Sequence, residues 1–271
     1  MKSKSKKVSE IWNHVKGSGA IIATAIHDGQ HVRQDLKDIM FISEKDRLRE
    51  EDPFTGEWTQ VANNRIVGTR SRFEVDLNRP REKAVYIAPE DAWGLHVWKE
   101  TPNNKQIADS LAEYDAFYSE VHKVLTELES RYGRFVVFDL HSYNHLRDGE
   151  QGQPADPESN PEVNIGTGTL DRKYWAPVID RLIESLGGYD YLGRHLDVRE
   201  NIKFRGGNFP RWINQNFPKT GCAIAIEFKK FFMDEWSGEP DPAQIKEIGR
   251  ALESTIPFVL EGIKKMPGID R

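Results

Sequence analysis

The sequence predicts an α/β domain in which helices cover a mostly parallel sheet, because short apolar runs alternate with helical patterns. Three runs are short, continuous and rich in β-branched residues, which is typical of buried central strands. They are GAIIATAIH, which ends at His27, RFVVFDLH, which ends at His141, and CAIAIEF, which contains Glu227. Three helical patterns lie between and after these runs, at about 103–132, 171–188 and 241–265.

The predicted helices carry signals at their ends. The first begins near Asn103, has apolar residues at helical spacing and is followed by Gly133, a residue that commonly ends helices. The second also stops at a glycine, and the third has Asp241 available as its N-cap.

Composition limits the class of protein. The 271 residues carry a net charge of −5, which gives no electrostatic reason to expect nucleic-acid binding. No apolar run approaches the roughly 18 residues that a membrane span needs. Cys222 is the only cysteine, which excludes an internal disulfide and favours a cytoplasmic protein. We expect a basic tail with a lead-in helix at 1–18 and a single domain at 19–271.

Ionisable residues occur where the predicted strands end. His27 and His141 fall at carboxyl ends of strands, which is where α/β sheets bind ligands. Both histidines are candidate metal ligands, and the alternative is that they are polar residues at which a strand leaves the core. Asp139 lies two positions before His141, on the same strand face, and would orient its imidazole. The irregular stretch at 146–168 would cover this edge of the sheet.

Two further segments carry candidate functional groups. Glu227 interrupts an apolar strand, so its carboxylate is a candidate general base, and a structural ion pair is an equally good interpretation. In SRFEVDLNRP, alternation predicts a strand with Arg72, Glu74 and Asp76 on one face. Its arginines are suited to grip a substrate carboxylate, and the alternative for each is a surface salt bridge.

Seven motifs in order, from about Ile21 to Trp236, make the chain resemble the N-formylglutamate amidohydrolase family. They are IHDGQHV, LREEDPFT, SRFEVDLNRP, FDLHSY, PEVNIGTG, NIKFRGG and AIEFKKFFMDE. The family is similar in architecture to zinc carboxypeptidases and aspartoacylases. The resemblance therefore implies a three-layer α/β/α fold with a mixed, mostly parallel central sheet of the zinc-carboxypeptidase and phosphorylase-hydrolase kind. It also implies zinc-dependent hydrolysis of the amide bond of an N-acyl amino acid, such as N-formyl-L-glutamate.

The resemblance, together with the chemistry of the other side chains, gives an expected role for each candidate residue. One zinc ion per chain would be held by His27, His141 and a carboxylate from Asp52 or Glu50, with Asp52 slightly favoured. Glu227 would be the general base that deprotonates the zinc-activated water. Arg72, with Arg205 as second candidate, would stabilise the oxyanion. The expected substrate-binding residues are Asn78, Arg79, Arg205 and Ser142.

Three departures from the family pattern bear on function. Gln30 stands where carboxypeptidase-like sites have the glutamate of H-x-x-E, and Asp28 adds a charge directly after His27. Lys229 and Lys230 stand where a more neutral pattern is expected. Two alternatives stay open: a peptidase or deacylase that acts on another acyl group, and a binding relative that has lost the metal. The acyl group, the native metal and the oligomeric state are left open.

Overall fold

The computed structural model describes residues 11–268 and shows a seven-stranded sheet in the order β1-β3-β2-β4-β7-β5-β6. The strands are β1 Trp12–Val15, β2 Ile21–Ala25, β3 Asn64–Gly68, β4 Phe135–Tyr143, β5 Val163–Gly166, β6 Val198–Glu200 and β7 Gly221–Lys229. The β1–β3 and β5–β7 pairs are antiparallel, and the other four neighbouring pairs are parallel. The mixed, mostly parallel sheet and the three apolar runs are therefore confirmed.

Seven α-helices accompany the sheet in the described part of the chain. They are α1 Gln34–Lys37, α2 Glu44–Glu50, α3 Thr55–Trp58, α4 Asn104–Tyr132, α5 Ala176–Gly187, α6 Asn208–Asn216 and α7 Pro242–Lys264. Short 3-10 helices occupy Thr59–Val61, Arg81–Lys83 and Pro89–Ala92. The predicted end signals are confirmed. Asn103 and Asp241 cap α4 and α7 with side-chain oxygens, and Gly133 ends α4 with φ 74°.

Helices cover both faces of the sheet. On one face Val136, Phe138 and Leu140 of β4 pack with α5 and α7, and on the other Phe135 and Val137 pack with α4 and α6. The two faces of β4 thus pack into separate hydrophobic cores, which is why the sequence of this strand is continuously apolar. The result is the three-layer α/β/α arrangement. Within residues 11–268, no helix combines the length and the apolar character that crossing a membrane requires.

The lead-in helix expected before residue 19 is wrong for the described part of that segment. Trp12–Val15 form β1, an edge strand antiparallel to β3, and their side chains alternate between half-buried and exposed. The ring of Trp12 packs edge-on against Phe117 of α4 at 5.7 Å, so the alternation serves a sheet and not a helix. The expected basic tail at 1–10 lies outside the described residues, and the division at 18/19 stays a prediction.

The strand expected in SRFEVDLNRP is also wrong. The chain makes consecutive turns there, since the amide of Glu74 donates to the carbonyl of Ser71 and that of Arg79 to Asp76. The neighbouring strand β3 is already paired on both edges, by β1 and β2, so the segment cannot pair with the strand that precedes it. The irregular stretch expected at 146–168 is shorter than predicted, because β5 occupies its last part.

Candidate active site and metal centre

The two strand-end histidines lie side by side at the carboxyl edge of the sheet. His27 follows β2 and His141 lies within β4, and these neighbouring strands run parallel. The rings are 5.0 Å apart between centroids, and the residues are 1% and 2% exposed. Parallel pairing is what brings these two residues, distant in sequence, to one point.

A carboxylate from the segment after α2 joins them. The amide of Asp52 donates to the carbonyl of His27 at 3.0 Å, which anchors the residue beside β2. Its Oδ2 lies 3.4 Å from Nδ1 of His27 and 3.0 Å from Nδ1 of His141. Among the described residues, these three form the group whose ligand atoms come within 4.8 Å of one another.

Glu50, the other candidate third ligand, lies in the cavity wall outside this group. Its carboxylate accepts hydrogen bonds from Arg147 at 3.2 and 3.3 Å and from the amide of Asn144 at 3.1 Å. The chain therefore presents Asp52, and not Glu50, to the two histidines.

Each imidazole also contacts a carboxylate of its own through Nε2, the ring nitrogen on the side away from Asp52. Nε2 of His27 lies 2.8 Å from Oδ1 of Asp76, and Nε2 of His141 lies 3.0 Å from Oδ2 of Asp139. A buried carboxylate at Nε2 favours the tautomer with the proton there, which leaves the Nδ1 lone pair directed at the shared centre. The expected Asp139–His141 contact is confirmed.

These residues fit a divalent metal ion. Nδ1 of His27 is buried and has no hydrogen-bond partner among residues 11–268, which is costly unless something else occupies its lone pair. Two imidazole nitrogens and one carboxylate oxygen are a donor set found at catalytic zinc sites. Burial would raise the pKa of Asp52, but the electrostatic effect of the two neighbouring imidazoles outweighs it and lowers that pKa. The second oxygen of Asp52 accepts a hydrogen bond from Ser142 at 3.3 Å.

This centre forms the floor of a cavity of about 400 Å³ whose walls are strongly cationic. The positively charged lining residues are Arg49, Arg72, Arg79, Arg147, Arg205, Arg211 and Lys230. The acidic lining residues are Glu50, Asp52 and Glu227. Arg147 is paired with Glu50, whereas Arg205 and Arg211 form no ion pair within the described part of the chain. The cavity is therefore suited to an anionic ligand.

Glu227 faces this cavity from the strand next to His141. The two residues are opposite each other in the β4–β7 register. No side chain among residues 11–268 forms an ion pair with Glu227, so the structural ion pair considered as an alternative is not found there. Burial raises the pKa of Glu227 to about 7. A carboxylate of this kind beside the candidate metal centre can exchange a proton near neutral pH.

Arg72 and Arg205 occupy different positions in the cavity wall. Arg72 donates to Asp76 at 2.9 Å, and its guanidinium lies 4.8 Å from the ring centroid of Trp93. Its position is thus tied to the carboxylate that also orients His27. Arg205 is exposed at the cavity rim.

The Asn78–Arg79 pair lies on a turn that several groups hold in place. Oδ1 of Asn78 accepts a hydrogen bond from the amide of Phe209 at the start of α6, at 2.9 Å, which leaves the amide nitrogen for the cavity. Tyr118 donates to the carbonyl of Leu77 at 2.8 Å. Arg79 is 3.7 Å from Asp76 through its Nε, and its side chain is 38% exposed.

Sequence reasoning missed several residues of this site. Asp76 was placed on a strand face, and its contact with His27 depends on turns that alternation does not indicate. Arg147 and Arg49 gave no signal, because single arginines in polar segments are usually solvated. Lys230 differs from the family pattern in sequence, but nothing in the sequence indicates that it is only 2% exposed. Gln30 lies outside the metal centre, where its main-chain carbonyl accepts a hydrogen bond from Arg47.

Comparisons with known proteins agree with this picture. A sequence model of the family described as N-formylglutamate amidohydrolase matches residues 19–233. The crystal structure of N-formylglutamate amidohydrolase from Ralstonia eutropha JMP134 superposes with a TM-score of 0.70 at 14% identity, over 93% of this chain and 97% of that one. A gene product from Agrobacterium tumefaciens superposes with a TM-score of 0.68 at 16% identity, over 95% and 97% of the two chains. A sequence comparison with curated proteins finds no significant match.

The structural likenesses establish a shared fold, and the match to the family's sequence model establishes membership of the family. It spans most of the chain and includes His27, Asp52, His141 and Glu227. This protein therefore belongs to the N-formylglutamate amidohydrolase family and is a hydrolase.

Proposed function

We propose that this protein hydrolyses the amide bond of N-formyl-L-glutamate, or of a closely related N-acyl amino acid, with one zinc ion per chain. The observation that carries the proposal is the buried His27–Asp52–His141 group, in which both Nδ1 atoms face one carboxylate oxygen. The name of the family supports the substrate, and the cationic cavity above this group supports an anionic one.

His27, Asp52 and His141 would hold the metal. Zinc, when bound, supplies a Lewis acid that polarises a carbonyl and lowers the pKa of water. Asp76 and Asp139 would keep the two imidazoles in the tautomer and orientation that binding requires, through their contacts with Nε2.

Glu227 would act as the general base. Its carboxylate takes the proton from the water molecule that attacks the scissile carbonyl, and then passes this proton to the leaving nitrogen. Its place opposite His141 and its lack of an ion-pair partner in the described residues support this role.

Arginines would stabilise the charge that develops on the carbonyl oxygen. Arg72 is the first candidate, because Asp76 and Trp93 hold its guanidinium in one position, and a preorganised donor is what this role needs. Arg205 is the second candidate.

Recognition of the substrate would use two sets of groups in the cavity wall. The free amide nitrogen of Asn78 and the guanidinium of Arg79 would bind the α-carboxylate. Arg205 and Arg211, which have no acidic partner among residues 11–268, would attract a second carboxylate on the amino-acid side chain. An acidic amino acid accounts for both sets of cations better than a neutral one. Ser142 would act less directly, because its hydroxyl already donates to Asp52.

Two measurements test this proposal. Elemental analysis of the purified protein is expected to give about one zinc per chain, and His141→Ala to lose it. Formate release from N-formyl-L-glutamate should exceed that from N-formyl-L-alanine, because only the former offers a second carboxylate.

Absence of metal binding even after incubation with zinc would refute the metal mechanism and favour a binding relative. Zinc binding combined with faster cleavage of N-acetyl-L-glutamate, or of a peptide terminus, would instead favour a deacylase or peptidase.

A further inference from the structure

A buried lysine links the end of β7 to the segment that carries Asp52. Lys230 directly follows β7, and its amide donates to the carbonyl of Tyr143 in β4 at 3.0 Å. Its ammonium group donates to the main-chain carbonyls of Arg49 at 2.6 Å and Glu51 at 2.7 Å. These carbonyls belong to the last turn of α2 and the residue after it, immediately before Asp52.

Burying the ammonium group of Lys230 is unfavourable, so its two hydrogen bonds to main-chain carbonyls are needed to offset the cost. Removing an ammonium group from water is unfavourable unless partners replace the lost hydration. Lys230 is 2% exposed, and no carboxylate among residues 11–268 lies within ion-pair distance of it. Its hydrogen bonds go to main-chain carbonyls near the C-terminus of a helix, where a cation is favourable. An apolar side chain would fill this space with a smaller penalty but would leave both carbonyls without this donor.

We propose that Lys230 is a positioning residue for the metal centre, and this inference rests on the zinc site of the proposed function. By holding the carbonyls of Arg49 and Glu51, the ammonium group fixes where α2 ends and therefore the direction in which Asp52 leaves it. The amide of Asp52 is already bound to His27, so the lysine supplies the second anchor of this short segment. With both anchors, Oδ2 of Asp52 stays between the two Nδ1 atoms.

The adjacent lysine provides a matched control. Lys229 donates to the carbonyl of Asn160 at 2.8 Å, and it does not line the cavity. Lys230→Met and Lys229→Met therefore remove the same charge from neighbouring positions, but only the first removes the anchor. Zinc affinity would be measured for both variants and for the unaltered protein by competition with a chromophoric chelator.

The expected result is a zinc Kd about 10–100-fold higher for Lys230→Met, the range found when groups that orient metal ligands are removed. Lys229→Met should stay within about twofold of the unaltered protein. An unchanged affinity in Lys230→Met would overturn the proposal. A tighter affinity would do so as well, because it would mean that the lysine acts only as a repelling charge.

A second variant covers the case in which Lys230→Met does not fold. Lys230→Gln keeps an amide donor for one carbonyl and should bind zinc with an intermediate Kd. Circular dichroism and urea unfolding of the metal-free proteins would establish which variants are folded. Failure of both variants to fold would overturn the proposal, because Lys230 would then serve the stability of the whole domain. If the unaltered protein binds no zinc, the proposed zinc-dependent function is refuted. If it binds zinc and Lys230→Met binds it equally well, only the role of Lys230 is refuted.

Discussion

Replacing Asp139 by asparagine should weaken zinc binding by about five- to twelvefold. Asp139 is fully buried, and its Oδ2 is bonded to Nε2 of His141 while its Oδ1 accepts a hydrogen bond from Thr24. Asparagine can place its carbonyl oxygen at the imidazole and its amide nitrogen at the hydroxyl of Thr24. This hydroxyl can then accept a hydrogen bond instead of donating one. The geometry is then kept and only the charge is lost.

The magnitude follows from that difference. A hydrogen bond to a charged group contributes about 1.5–3 kcal/mol, and one between neutral groups about 0.5–1.5 kcal/mol. Subtracting the two ranges end by end gives a loss of about 1–1.5 kcal/mol, which corresponds to a five- to twelvefold change in Kd. Chelator competition at neutral pH measures this directly. Asp115→Asn is a matched control, because it removes the same charge from an exposed pair with Arg81.

An affinity within twofold of the unaltered protein, in a folded Asp139→Asn variant, would refute the reasoning. It would mean that Asp139 does not act on the metal through His141. A loss of several hundredfold would contradict it in the other direction, since it would require the imidazole itself to change tautomer or turn away.

Three further outcomes are expected. Glu227→Gln should lower kcat by about 10²–10⁴-fold, the contribution of a general base, while zinc content stays at that of the unaltered protein; loss of zinc would instead make Glu227 a ligand. Tyr118→Phe removes the donor to the carbonyl of Leu77 and loosens the turn that is proposed to bind the substrate, so KM should rise several-fold with kcat nearly unchanged in steady-state kinetics; an equal fall in kcat would contradict this. Burial and the nearby Glu113 raise the pKa of Glu74 to about 8, so the folded protein binds a proton that the unfolded chain releases. Stability should therefore fall as pH rises from about 4.5 to 8, and Glu74→Gln should show a shallower fall in urea unfolding at several pH values.

Local signals were enough to predict the elements that build the framework. The central strands could be predicted from sequence. Both faces of β4, for example, are buried, which requires an uninterrupted apolar run. Helices α4 and α7 were predictable to within a residue, since Asn103, Gly133 and Asp241 satisfy the free groups at their ends. Both histidines followed from the strands, because strand ends in such a sheet meet at a common edge.

Contacts made through turns could not be predicted in the same way. Asp76 and Arg72 approach His27 and the cavity because the chain folds back on itself after β3, and alternating residues gave the opposite expectation of a strand. The choice between Asp52 and Glu50 depended on where α2 ends relative to β2, a difference of half a helical turn that no spacing rule resolves. The role of Lys230 could not be predicted either, because its partners are main-chain carbonyls, which every residue has.

The distribution of charge in the cavity explains why these poorly predictable residues matter together. Of the negative groups in the lining, Asp52 and Glu227 lie at the floor and Glu50 is paired with Arg147. Arg205 and Arg211, which have no ion-pair partner among residues 11–268, lie in the wall and rim. A substrate that carries carboxylates at one end and a neutral amide at the other can satisfy both regions in only one orientation. In that orientation the carboxylates would contact the arginines and the amide would be directed at the proposed metal centre. A substrate without the second carboxylate would lose part of this constraint. In the proposed mechanism, the wall would contribute to hydrolysis by positioning the amide, and the floor would contribute the chemistry of proton transfer.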